Sequence, residues 1–403
     1  MTQQGNKVDT SINSNVAGIG NPRRIAVFRA LQLGDLLLAI PALRALRVRF
    51  PQAEITLIGL PWAASFARRF RCYIDRFVEF AGYPGIDEVE VVPERTQQFL
   101  DEQRAYAYDL VIQMHGNGQT SNACVLDMGG RMTVGYNPQY TDENTPCVGT
   151  DLSRPSPLYP ANIVKNGWDI GGCDKSFPTV AAPYPDEAHE IERNLGLARL
   201  AGCKNVDTRL EFPLFNEDYA EAARLLYGLP RANRPWIGIH AGARPPARRW
   251  PAEYFAQVAD TLADRFNAQV ILTGGHGEEA TVQFVAQHMK SPHLNLAGKT
   301  SLGGLATIIS ELDLFISNDT GPSHIANAVD TPSITIFGPV DPRRWAALDQ
   351  LRHPYVRRPV ACSPCGYWKC PIDHRCLRWL KPDMVMESAD RLLAAKSLAG
   401  TAQ

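Results

Sequence analysis

The chain has 403 residues, 45% of them hydrophobic, and a formal net charge of −1. That length exceeds one ordinary core and predicts two domains. The near-neutral charge argues against bulk nucleic-acid binding, and no apolar run is long enough to span a bilayer.

Residues 1 to 22 are polar, lack the apolar segment of a signal peptide and read as a disordered tail. Nine cysteines without an export signal give the expectation of a cytoplasmic protein with reduced thiols. The sequence RIAVFR (Arg24 to Arg29) predicts a strand, Ala30 to Asp35 a turn, and Leu36 to Phe50 a helix with one apolar face. Strands are then expected at Glu54 to Leu60, Asp75 to Phe80 and Asp109 to Met114, with helices at Trp62 to Phe70 and Thr96 to Ala105. Such alternation predicts a parallel sheet covered by helices on both faces. Ten arginines between residues 23 and 76 face three acids, which describes either solvated helix faces or a surface for an anionic partner. Residues 136 to 185 are rich in Pro, Gly and Asn and read as loops with short helices, suited to contacting an acceptor.

Helices are expected at Asp186 to Leu200 and Tyr219 to Tyr227, with the crossing between domains at Asp207 to Phe215. A second alternating series follows. It runs from the strand PWIGIH through helices at Ala252 to Phe266, Glu278 to Met289 and Leu302 to Glu311. It leads into Leu312 to Ile316 (strand), Ser317 to Gly321 (turn), Ser323 to Val329 (helix) and Ser333 to Phe337 (strand). A C-terminal amphipathic helix is expected at Pro382 to Ala395.

Chemistry concentrates at the carboxyl ends of predicted strands, where open α/β sheets place ligands. In NDTGPSH, Pro322 suits a first helical position, and Gly321 lets an anion approach unpaired N–H groups at the positive end of a helix. His324 lies in the first turn, with Asp319 and Thr320 at the lip. The same residues also describe an ordinary capped helix with His324 on the surface. Asp35 opens the first helix, as a general base or simply as an acid favoured by the helix dipole. HAGARPPARRWP brings Arg244, Arg248 and Arg249 into one Pro-rich loop, as a phosphate clamp or a solvated charged loop. TGGHGEE places Glu278 where an acid can hold ribose hydroxyls. Gly116-Asn117-Gly118 begins like a dinucleotide fingerprint but has Ser121 in place of the third glycine. Cys362, Cys365, Cys370 and Cys376, with His374 nearby, have spacings open to zinc, reduced thiols or disulfides; the Cys-x5-Cys half argues against an obligatory metal.

Taken in order, LGDLLLAIPALRALRVRFP, RRWP, TGGHGEE, SNDTGPSHIANAVDTPSITIFGP and CSPCGYWKCPIDHRCL resemble glycosyltransferase family 9, the ADP-heptose:lipopolysaccharide heptosyltransferases, over roughly residues 23 to 395. The resemblance implies a GT-B fold, with two facing Rossmann-like domains of parallel sheets and a cleft between them. The expected division is an acceptor-binding domain at 23–212, a nucleotide-sugar domain at 213–380 carrying the Cys-rich segment 362–376, and a C-terminal helix and tail at 381–403. It also implies an inverting, metal-independent transfer of a sugar, a heptose from ADP-heptose, onto a lipopolysaccharide core or related lipid-linked glycan. By resemblance Asp35 is the catalytic base, and Asp319, Thr320, Gly321, Pro322 and His324 bind the donor together with Glu278. Arg248 stands where the family often has a phosphate-binding Lys, which implies a shifted diphosphate contact. No cofactor or metal is expected. Arg68, Arg69 and Arg71 are expected to contact acceptor, with the enzyme peripheral on the inner face of the inner membrane. The alternatives are a non-catalytic nucleotide-sugar-binding protein and an NAD-dependent enzyme using Gly116 to Gly118.

Overall fold

A computed structural model describes residues 19–137, 179–204, 206–232 and 234–400. Most of the expected tail, and the expected loops over 138–178, lie outside the described residues. The chain divides into two compact units, passing from one to the other at Thr208–Arg209.

In the first unit the strands are β1 (Arg24–Phe28), β2 (Glu54–Gly59), β3 (Arg76–Glu79), β4 (Leu110–Gln113), β5 (Met132–Asn137) and β6 (Val180–Pro183). They pair in the order β3-β2-β1-β4-β5-β6, all parallel. β1, β2 and β4 are almost wholly buried, as near-continuous apolar strands covered on both faces must be. Helices α1 (Leu33–Leu37), α2 (Ile40–Arg49), α3 (Ala63–Arg69), α4 (Pro93–Tyr106), α5 (Ser121–Asp127) and α6 (Glu190–Leu200) complete it. The single helix expected at Leu36 to Phe50 is two helices. Pro41 lies in the first turn of α2, where its missing N–H costs nothing, whereas inside one continuous helix it would remove a hydrogen bond. The turn expected at Ala30 to Asp35 is correspondingly shorter, and Asp35 lies inside α1. The expected loop region begins and ends with strand: β5 runs to Asn137, and β6 resumes at Val180.

The second unit begins with α7 (Asn216–Leu225). Its strands are β7 (Trp236–His240), β8 (Gln269–Thr273), β9 (His293–Asn295), β10 (Leu314–Asn318), β11 (Ser333–Phe337) and β12 (Tyr355–Arg357). They pair in parallel as β12-β11-β10-β7-β8-β9. Read from its own first strand, this is the order of the first sheet repeated, and both are the doubly wound dinucleotide-fold order. The helices are α8 (Ala252–Phe266), α9 (Glu279–His288), α10 (Leu302–Ser310), α11 (Gly321–Ala328), α12 (Pro342–Trp345), α13 (Arg375–Arg378) and α14 (Pro382–Gly400). α14 is part of this unit's core: Val385, Met386, Ala389 and Leu393 pack with Phe255, Ala259 and Leu262 of α8. Among the described residues no helix is long and apolar enough to cross a membrane.

Candidate functional site

In a doubly wound sheet the crossovers leave in opposite directions from the first and fourth strands, which opens a crevice at their carboxyl ends. In the second unit that crevice lies between β7 and β10. β10 ends at Asn318, and α11 begins at Gly321 with Pro322 in its first turn. Thr320 is the N-cap residue in extended backbone, but its side chain makes no capping hydrogen bond. The N-terminus of α11 therefore lacks the usual side-chain partner for its first N–H groups. Thr320 and Gly321 are partly exposed, whereas Pro322 and His324 are buried. Burial at 6% exposure removes the surface role for His324.

Asp319 is not at the lip. It is 4% exposed, and its Oδ2 accepts from Arg248 Nη1 at 3.0 Å. Burial pushes the Asp319 carboxyl up from its ordinary range, and Arg248 opposes that shift. The Arg loop after β7 folds as a 3-10 turn over Pro246–Arg248, which carries Arg248 back over the end of β10. Asn318 holds the loop from within. Its Oδ1 accepts from the Trp250 N–H at 3.0 Å, and its Nδ2 donates to Ala241 O at 2.8 Å.

Glu278 lies at the end of the loop following β8, as the N-cap residue of α9. Its Oε2 accepts from the Gly275 N–H at 2.7 Å and lies 3.4 Å from His240 Nε2. Burial opposes its ionisation. His240, the Gly275 N–H and Arg249 outweigh that, so the carboxyl titrates below its usual range. A Cβ at position 242 would stand 2.2 Å from the Glu278 carboxylate, so a side chain there would displace that carboxylate. The structure thus gathers Arg248, Glu278, Asp319 and the start of α11 on neighbouring strand ends of one sheet.

In the first unit Asp35 follows β1 at the corresponding position. Its side chain is 21% exposed, and its Oδ2 accepts from the Gln32 N–H at 3.2 Å. Behind it lies Arg29, which the sequence reading grouped with a basic surface. Arg29 is 1% exposed. Its Nε donates to Asp35 O at 2.8 Å, its Nη1 to Asn194 Oδ1 at 3.0 Å and to Met114 O, and its Nη2 to Glu190 Oε1 at 3.1 Å. One guanidinium thus fixes the Asp35 turn to the end of β4 and to α6. Its signal in the sequence was an arginine ending an otherwise apolar buried strand. A second undetected pair is His115 Nε2 with Glu88 Oε2 at 3.5 Å, both nearly buried, just beyond β4.

Arg68, Arg69 and Arg71 are near Asp35 in sequence but not in the fold. α3 leaves the carboxyl end of β2 and runs back toward the start of β3, so its last turn lies at the amino edge of the sheet. Arg68 and Arg71 are exposed there, and Arg69 is half-buried. Cations at a helix C-terminus are favoured by the helix dipole in any case. Other arginines of the group serve the fold: Arg47 donates to Ala53 O at 2.7 Å and pairs with Asp75, and Arg76 covers the Tyr106 ring at 3.9 Å.

Packing alone accounts for Gly118. It has φ +94°, and a Cβ there would meet Tyr136 O at 2.4 Å and the Asn122 amide at 2.6 Å, so its absent side chain is required by β5 and α5. Cys362, Cys365, Cys370 and Cys376 are free thiols. Among the described residues no three Cys, His, Asp or Glu side chains converge as a metal site.

The sequence profile of "Glycosyltransferase family 9 (heptosyltransferase)" matches residues 158–374. The chain is 30% identical over 378 residues to lipopolysaccharide heptosyltransferase 3 of Escherichia coli K12, across 91% of this chain and 95% of that protein. It is 32% identical over 168 residues to lipooligosaccharide heptosyltransferase 2 of Campylobacter jejuni, a match spanning 40% of this chain and 52%, about half, of that relative. The solved structure of E. coli ADP-heptose lps heptosyltransferase II superposes with a TM-score of 0.66 at 19% identity, covering 93% of this chain and 99% of that one, which shows a shared GT-B fold. With a profile match over more than half its length and a full-length relative at this identity, the chain belongs to glycosyltransferase family 9, the heptosyltransferase family.

Proposed function

We propose that this protein is an inverting, metal-independent glycosyltransferase that moves a heptose from ADP-heptose onto a lipopolysaccharide-core saccharide. The observation that carries the reading is the set of groups at the β7/β10 crevice: the uncapped start of α11, Arg248, and Glu278. A helix N-terminus and an arginine are suited to diphosphate oxygens, and an ionised acid beside them to ribose hydroxyls. Relatives named as heptosyltransferases, and the ADP-heptose in the name of the solved neighbour, support the choice of sugar and nucleotide.

In this mechanism Asp35 takes the proton from an acceptor hydroxyl while that oxygen attacks the anomeric carbon. The bond from that carbon to the diphosphate oxygen breaks, and its electron pair leaves with ADP. One displacement inverts the anomeric configuration. The positive end of α11 at Gly321, with Arg248, stabilises the charge gathering on the leaving diphosphate, the role a divalent cation plays elsewhere. Asp319 fixes Arg248 from behind. The acceptor is a lipid-linked saccharide, and the protein works at the inner face of the inner membrane.

The test is ADP release from ADP-heptose with and without a heptose-accepting lipopolysaccharide core, in the presence and absence of EDTA. Acceptor-dependent release that survives EDTA is expected. Tight ADP-heptose binding with no turnover on any core acceptor would make this a binding protein. Inactivation by EDTA restored by magnesium or manganese would overturn the metal-independent mechanism.

A further inference from the structure

The loop that carries Arg248 is held from outside by a segment far away in the sequence. The Ala247 N–H donates to Trp368 O at 3.1 Å, and Ala247 O lies 2.6 Å from His374 Nε2. Both polar groups of one peptide residue next to Arg248 are thus taken by the Cys-rich segment. Arg244 also lies 5.6 Å from the centre of the Trp368 ring. That segment is moored at its other end to the carboxyl end of β11. The Cys365 N–H donates to Pro339 O at 2.7 Å, and Ser363 Oγ donates to Gly338 O at 2.7 Å. In the sheet β10 lies between β11 and β7. The segment is therefore a strap joining the two strand ends that flank β10 and the start of α11.

His374 has unusual backbone. Its φ is +59°, a left-handed conformation that costs a side-chain-bearing residue free energy and persists where the surroundings enforce it. Here it opens α13, and its carbonyl accepts from the Leu377 and Arg378 N–H groups while its ring turns to Ala247. Leu377 is fully buried, and a Cβ at Gly338 would meet it at 2.6 Å, so the base of the strap is packed tightly against the β11 end. Tyr367 and Ile372, by contrast, are exposed, so the middle of the strap has little core of its own. Its hold on the Arg248 turn rests on hydrogen bonds.

We infer that His374 is a positioning residue for donor binding: through Ala247 it sets the Pro246–Arg248 turn, and so the place of the Arg248 guanidinium over the diphosphate site. The inference rests on the donor-site reading above. The Arg248 guanidinium is a planar fork that must be aimed, where a lysine would act as a point charge. An aimed group needs a fixed backbone, and the strap supplies one.

The experiment is ADP titration by calorimetry on the full chain, with thermal unfolding of each variant alongside. His374→Asn breaks the bond, because its amide falls short of Ala247 O, while asparagine tolerates the left-handed backbone. His374→Gln restores a donor at the Nε2 position. His374→Asn is expected to weaken ADP about tenfold, equivalent to about 1.4 kcal/mol, and His374→Gln to recover most of that loss. In an Arg248→Ala background His374→Asn should change ADP affinity no further, because the group it positions is gone. A purely structural role predicts lower melting temperatures with wild-type ADP affinity in the folded protein, and that outcome overturns the inference. So does an equal loss from His374→Asn with and without Arg248. If Arg248→Ala binds ADP like the wild type, the donor-site role of Arg248 fails first and the inference falls with it.

Discussion

Arg29 shows how one buried charge organises a site. Its guanidinium and Glu190 are both nearly buried, so removing the Glu190 charge leaves Arg29 with only the Asp35 carboxylate, 3.9 Å away, to balance it. Glu190→Gln is expected to destabilise the first unit by about 1–3 kcal/mol in denaturant unfolding. His353 gives a pH signature. It is 4% exposed, its Nδ1 is 3.0 Å from Ser333 Oγ, and burial, reinforced by Arg352, pulls its pKa down from 6.5 to about 4. The folded state keeps this imidazole neutral, so its contribution to stability is complete above pH 6.5 and is lost as pH falls through 4. The loss amounts to about 3 kcal/mol, and His353→Asn, which keeps an amide near Nδ1, should flatten that part of the stability profile. Single residues were the least legible scale in the sequence. Asp319 and His324 were found by motif, but the burial of both, and the opposite fates of Arg29 and Arg68, depend on which strand or helix end each residue occupies.

At the scale of elements, legibility followed the strength of the pattern. α8 at Ala252–Phe266 and β11 at Ser333–Phe337 coincide with their sequence expectation, because one has a clear apolar face and the other an unbroken β-branched run. The helix expected after β1 is divided because Pro41, inside an apolar spacing that continues across it, starts a new helix. β12 was missed because three residues at a sheet edge carry too little pattern. The C-terminal helix begins at Pro382 as expected but runs to Gly400 and not Ala395, and its burial against α8 required the tertiary fold. Leu380, fully buried just before α14, also offers its carbonyl to Trp250 Nε1 at 2.9 Å. Leu380→Ala is expected to cost about 2–5 kcal/mol, read as a fall in the unfolding midpoint. Because Trp250 adjoins the Arg248 loop, the same variant should also weaken ADP binding.

At the scale of the molecule, two sheets of the same strand order each carry one half of the proposed chemistry at the same topological place. The alternation of strands and helices was legible throughout. The switch points were not, because strand order is a set of long-range pairings that no local pattern encodes. For Arg68, Arg69 and Arg71 the topology leaves the remote parts of a large anionic acceptor, or the headgroups around its lipid anchor, as what they would meet. Neutralising all three should raise the Michaelis constant for acceptor in anionic vesicles with little effect on donor. Added salt should erase the difference, since exposed charges are screened over about 8 Å at physiological ionic strength. A triple variant that matches the wild type at low salt would leave these arginines as a solvated helix end.

The division of labour between the units is the central claim, and Asp35→Asn tests it most directly when ADP affinity and heptose transfer to a lipopolysaccharide core are measured on the same preparation. The account predicts wild-type ADP affinity with transfer slowed by about 10²–10⁴-fold, the contribution of a positioned general base. Turnover near the wild-type rate, or a large loss of ADP affinity, would contradict it.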